Sequence, residues 1–120
     1  MITERFDEIL ARRLTKIREI LIAKGAEYSV QLDRLHNFRR AASMLGGSPE
    51  QALVGMWAKH LVSVLDMVDS IDSGTTPSRA LVDEKLGDTI NYAILLEALI
   101  TDRIDKQPTK SSARHLRRDI

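Results

Sequence analysis

Between residues 80 and 100 the chain carries Leu81, Val82, Leu86, Ile90, Tyr92, Ala93, Ile94, Leu95, Leu96, Leu99 and Ile100. At about 100° per residue these side chains surround most of a helix's circumference. A helix that is apolar on most sides is a buried helix, so the rest of the chain must supply its cover. Glu84, Asp88 and Asn91 interrupt the apolar surface at i, i+4 and i+7, and so fall on one line. Two carboxylates one turn apart on a buried helix repel each other and cost desolvation. The stripe therefore demands a compensating group: a divalent cation, a basic partner or a water-filled cleft.

The cover is also helical. Phe6, Ile9, Leu10, Leu14, Ile17, Ile20 and Leu21 recur at helical spacing over residues 3–24, with Thr3 as N-cap and Gly25 as the C-terminal stop. Leu32, Leu35, Phe38, Ala42 and Leu45 predict a second helix over residues 30–45, ended by Gly46 and Gly47. Ser48, Pro49 and Gln51 form a capping-box start for a third helix reaching to about residue 71. Its apolar arc is predicted from Leu53, Trp57, Val64, Val68 and Ile71, with Leu61 at its edge and Met44, Met56 and Met67 as gap fillers. A loop over 72–77 leads to the last helix, predicted over 78–104, and so short a connection predicts antiparallel packing.

No run has the alternation of a strand, so the fold class is all-α: a small bundle of about four helices. Aromatic residues are only 4% of the chain, which leaves Leu, Ile, Val, Ala and Met to build the core. The domain is read as residues 1–105. Residues 106–120, with five basic side chains and one Asp, read as a basic flexible tail. A helix as apolar as 80–100 needs cover on several sides, which predicts a bundle completed by dimerisation, a homo-oligomer.

Composition removes several functions. The chain has no cysteine, which excludes disulfides, thiolate metal sites and thiol nucleophiles. No segment approaches the ~20 apolar residues of a membrane span, and the N-terminus lacks the design of a signal peptide. The expectation is a cytoplasmic protein with no membrane partner. A net charge of +1 gives no electrostatic case for nucleic acid, and the basic tail has no interleaved aromatics. Phosphate-binding loops, dinucleotide fingerprints, HExxH and serine elbows are absent from the sequence.

Folding the third helix against the last gives the candidate site. A pivot near Thr75 brings Asp66 level with Glu84, Ser63 level with Gly87 and Asp88, and Lys59 level with Asn91. The stripe Lys59, Ser63, Asp66 and Ser70 would then face Glu84, Asp88 and Asn91, with His60 on its border. Converging carboxylates on a bundle core are what Mg²⁺ needs, and such an ion can polarise a phosphoryl group. The same acids could instead be neutralised as buried ion pairs with Lys59, Arg34 or Arg39. A second segment gathers Arg34, His36, Asn37 and Arg39 around Phe38, residue types that hold phosphate and stack on a base.

The pieces K-G-A-E-Y (24–28), D-R-L-H-N-F (33–38), W-A-K-H-L-V-S-V-L-D-M-V (57–68) and D-E-K-L-G-D-T-I-N-Y-A-I-L-L (83–96) carry a family resemblance. Over about residues 20–100 the chain resembles a phage and prophage nucleotide-modification-associated family, often grouped with MazG-like all-α nucleotide pyrophosphatases. The first helix and the tail lie outside the resemblance. It implies a bundle that dimerises or forms tetramers and binds a (deoxy)nucleoside triphosphate in an acidic cleft in the host cytoplasm. Mg²⁺ would assist attack of water on the α–β phosphate linkage. On this chain Asp66, Glu84 and Asp88 would hold the metal and Lys59 would stabilise developing negative charge. Arg34, His36, Asn37, Arg39, His60 and Asn91 would contact the nucleotide. The MazG-like pattern is E-x-x-E followed by E-x-x-D. Here Asp66-x-x-Asp69 precedes Glu84-x-x-x-Asp88, a spacing one residue longer in the second pair. The altered spacing keeps two alternatives open: a non-catalytic nucleotide-binding protein and a structural helical interaction protein.

Overall fold

The computed structural model describes residues 1–27 and 35–108, and these form four helices: α1 (Thr3–Glu27), α2 (His36–Leu45), α3 (Pro49–Asp72) and α4 (Arg79–Asp105). Among the described residues there is no strand, and no helix is long and apolar enough to cross a membrane. The all-α expectation holds. The helices pack as α2 on α3, α3 on α4 and α1 on α4.

Local chemistry sets most helix ends. The Ser48 hydroxyl accepts the Gln51 backbone N–H at 3.1 Å, and the Gln51 side chain accepts the Ser48 N–H at 3.1 Å, with Pro49 opening the helix. Gly46 closes α2 in the left-handed region at φ 77°, a conformation that costs glycine no Cβ clash. Ser78 caps α4 by accepting the Leu81 N–H at 3.1 Å. One expectation fails: α1 does not stop at Gly25 but runs on to Glu27. A single glycine costs a helix about 1 kcal/mol, too little to end one by itself.

The apolar core sits away from the α3–α4 turn. Leu35, Phe38, Leu53 and Leu99 are buried together, and Met56, Trp57, Tyr92, Leu95 and Leu96 pack around them. Leu53 is the largest side chain fully removed from solvent among the described residues. Toward the turn, burial shrinks to Met67 on α3, Gly87 on α4 and Ile17 on α1.

The buried face of α3 differs from the expected arc. Leu53, Met56, Trp57, His60, Val64 and Met67 turn inward, while Leu61, Val68 and Ile71 are exposed. Met67 is buried at the turn end, as a gap filler would be, whereas Met44 is exposed. The cause is visible in the sequence of α3, which is apolar on two sides, so its pattern does not choose between them.

Candidate functional site

The predicted stripe on α4 winds out of the interior. Asn91 is buried, Asp88 is half-buried, and the Glu84 side chain is 61% exposed and 3.5 Å from Lys85. The expected facing of two polar stripes does not occur. On α3, Lys59 and Asp66 are exposed. The Ser63 hydroxyl donates to the Lys59 carbonyl at 3.1 Å, and the Ser70 hydroxyl donates to the Asp66 carbonyl at 3.0 Å, both within the helix. The physical reason is the choice of face: burial of Leu53, Trp57, His60 and Met67 rotates the Lys59 stripe to the flank of the seam.

What the seam does bring together is His60, Asp88, Asn91 and Tyr92. His60 Nδ1 lies 3.5 Å from an Asp88 carboxylate oxygen. The His60 and Tyr92 rings lie with centroids 4.9 Å apart at 34°. Burial pushes the Tyr92 hydroxyl above its ordinary pKa, and the negative charge of Asp88 pushes in the same direction. Asn91 is only 6% exposed, and its side-chain oxygen has no hydrogen-bond partner. Within one turn of His60 on the neighbouring helix face, the Trp57 indole N–H is also buried and unpartnered. Buried polar atoms are almost always satisfied, so these two unpartnered atoms are the seam's most unusual polar feature.

The residues expected to hold Mg²⁺ are not gathered into one group within a single copy. Asp66, Glu84 and Asp88 do not converge, and no group of three His, Asp or Glu side chains among the described residues could hold a metal.

The predicted nucleotide contacts divide between two places. Arg39 lies near the far end of the hairpin, 2.6 Å from Asp102, beside the bidentate Arg103–Glu50 pair at 2.8 Å. Asp102 also accepts from Lys106 at 3.0 Å. The Lys106 and Arg39 hydrogen bonds hold the Asp102 carboxyl below its ordinary pKa, and Arg103 does the same to Glu50. These groups line an open cleft of about 310 Å³. Asp102 is eleven residues beyond Asn91 on the same helix, which is about 16 Å along its axis. His36 is half-buried and Asn37 is exposed at the start of α2. Arg34, the 24–28 segment's side chains and residues 109–120 lie outside the described residues.

One cluster had no place in the sequence reading. Asp83, on the first turns of α4, receives both terminal nitrogens of Arg12 at 2.8 Å. Arg13 donates to the Asp83 carbonyl at 3.3 Å and to its carboxylate at 3.4 Å. Lys16 lies 3.8 Å away and Arg79 lies 3.7 Å away. The Arg12 hydrogen bonds, reinforced by the charges of Arg12, Lys16 and Arg79, hold the Asp83 carboxyl down to about 2. Gly87 leaves room for the Arg13 guanidinium, since a Cβ there would stand 3.0 Å from it. The available signal was Asp83, Gly87 and Asn91 at i, i+4 and i+8, a second line on α4 adjacent to the one selected.

Compared with models of known protein families, with curated proteins and with solved structures, the chain matches none.

Proposed function

We propose that this chain is a nucleotide-binding helical protein, sequestering or sensing its ligand, and that it works as a homo-oligomer. The observation that carries the reading is the α3–α4 seam. There a tilted His60–Tyr92 ring pair adjoins Asp88, and Asn91 has a buried, unpartnered carbonyl oxygen. An amide acceptor beside aromatic faces suits the hydrogen-bonding edge and the π-face of a base. The resemblance in the D-x-x-N-Y stretch of α4 supports the same ligand class. Pyrophosphohydrolysis is the finer reading. It needs Mg²⁺ held beside the bound phosphates, and Asp66 and Glu84 are exposed, so binding is the reading put first.

Trp57 is the single tryptophan of the chain, and its indole nitrogen lies buried near the seam, so its fluorescence reports on occupancy. Titration with deoxynucleoside triphosphates is expected to give a saturable change that Asn91→Leu abolishes while the variant stays folded. Absence of any response across the four bases sinks the nucleotide reading. Pyrophosphate release on adding Mg²⁺ would promote the hydrolase over the binding protein.

The oligomer is supported by the outer side of α3. Val54, Ala58, Leu61, Leu65 and Val68 are exposed at a 4-3-4-3 spacing, the repeat of a helix–helix seam. Val54 and Val68 lie seven residues to either side of Leu61. Antiparallel pairing of two copies about Leu61 would set Val54 level with the partner's Val68. An exposed apolar stripe of this kind is a contiguous patch of the sort that marks interaction surfaces. Light scattering should show a dimer that Leu61→Glu splits, and a wild-type monomer at micromolar concentration would reject the second copy.

A further inference from the structure

We infer that the α1–α4 junction is a binding site for a phosphate-class anion, carried by Arg12, Arg13, Lys16 and Arg79 around Asp83. Four cationic side chains stand within 4 Å of one carboxylate, which leaves a surplus of three positive charges. Among the described residues none of the four has a second acidic partner. A clamp between α1 and α4 needs only Arg12, whose bidentate pair at 2.8 Å already occupies both carboxylate oxygens. Arg13 reaches the carboxylate only at 3.4 Å, and Lys16 and Arg79 stand at 3.8 Å and 3.7 Å, with no hydrogen bond to it. A carboxylate offers about four lone-pair sites, far fewer than these four side chains can donate to. Like charges held this close repel, and a second anion relieves that repulsion.

The geometry of the cluster suits an anion with several oxygens. Arg13 is 15% exposed and its two terminal nitrogens donate to the Asp83 carbonyl and carboxylate, so its fork is fixed in direction before any ligand arrives. Arg12, Lys16 and Arg79 are between 36% and 59% exposed, so their donors remain reachable from solvent. Arginine forks match phosphate oxygens pairwise, and lysine adds a mobile point charge. Two or three phosphoryl groups, as in pyrophosphate or the phosphate end of a nucleotide, supply the charge needed to balance the surplus.

The cluster and the seam share a helix. Asp83, Gly87 and Asn91 succeed one another at one-turn intervals, which puts about 12 Å between the cluster and the Asn91 acceptor. As the phosphate subsite of a nucleotide the cluster rests on the nucleotide reading above, whereas as an anion site it stands on its own residues.

The test uses inorganic pyrophosphate without Mg²⁺, with ionic strength matched by NaCl, read by thermal shift and by calorimetric titration. Wild type is expected to gain melting temperature. Lys16→Gln with Arg79→Gln removes two cations that make no hydrogen bond to Asp83, so the fold should persist by circular dichroism. Affinity should fall roughly tenfold or more. No shift in wild type beyond the NaCl control, or an unchanged affinity in the double variant, overturns the site. A nucleoside triphosphate that displaces pyrophosphate supports the nucleotide source. Pyrophosphate binding that no nucleotide displaces overturns the subsite assignment alone. Loss of the Trp57 response with pyrophosphate binding intact marks failure of the seam, not of the cluster.

Discussion

At the end of the α3–α4 hairpin away from its turn, Leu53 and Leu99 meet Phe38 and Leu35 of the α2 side in an apolar core. The ion pairs there, Arg39–Asp102 and Arg103–Glu50, lie on its rim. At the turn end the order is reversed. Little apolar area is buried, and α1 is held to α4 by a carboxylate ringed with cations. Apolar contact is non-directional and indifferent to charge, so the first end fixes the fold with whatever shapes fit. Directional ion pairs depend on pH and salt, so the second end can respond to a solute. The unpartnered Asn91 lies on α4 between these two regimes.

The largest expected effect breaks the apolar end. Leu53→Ala removes the side chain most fully buried among the described residues and leaves a cavity among Phe38, Leu99 and their neighbours. The cost should be about 2–5 kcal/mol of unfolding free energy, measured by urea denaturation with an unchanged m-value. A loss under 1 kcal/mol would mean that α2 does not close over α3 as described. The loss should be the same at low and at 0.5 M NaCl, because no charge is involved.

What could be read in the sequence follows the range of each interaction. The start of α3 was legible because Ser48, Pro49 and Gln51 settle it among themselves, and the end of α2 because Gly46 alone can adopt its left-handed turn. The four-helix, all-α architecture followed from apolar spacing within each segment. The inward face of α3 was not legible. Val54, Leu61, Leu65 and Val68 on one side compete with Leu53, Trp57 and Met67 on the other, and only the position of α4 decides. Of the candidate site, the sequence pointed to His60, Asp88 and Asn91, which do gather in the seam. It also pointed to Glu84, Asp66 and Lys59, which follow the same helical spacing but lie on outward faces. Asp83 escaped notice because its principal partners, Arg12 and Arg13, are about seventy residues away in the chain, a separation that leaves no periodic trace.

A smaller effect, and the one that sharpens the contrast, comes from Asp83→Asn. The Asp83 carboxyl titrates at about 2 in the folded chain, against about 3.9 when unfolded. A carboxyl depressed by folding stabilises the native state at every pH above the unfolded value. That stabilisation fades as pH falls from about 4 through about 2. Asp102 and Glu50, depressed in the same direction at the other end, keep some acid sensitivity in any variant lacking Asp83. Urea midpoints of Asp83→Asn should therefore lie below wild type at pH 7, by less than Leu53→Ala, and converge on wild type as pH drops through this window. Added NaCl should narrow the difference at pH 7, since the cluster is partly open to solvent and ions screen it. Convergence in acid would assign the turn end to charge. A gap as wide at pH 2.5 and in high salt as at pH 7 would show that Asn at this position disturbs the packing of α1 on α4, and that the two ends of the hairpin are held by the same kind of contact after all.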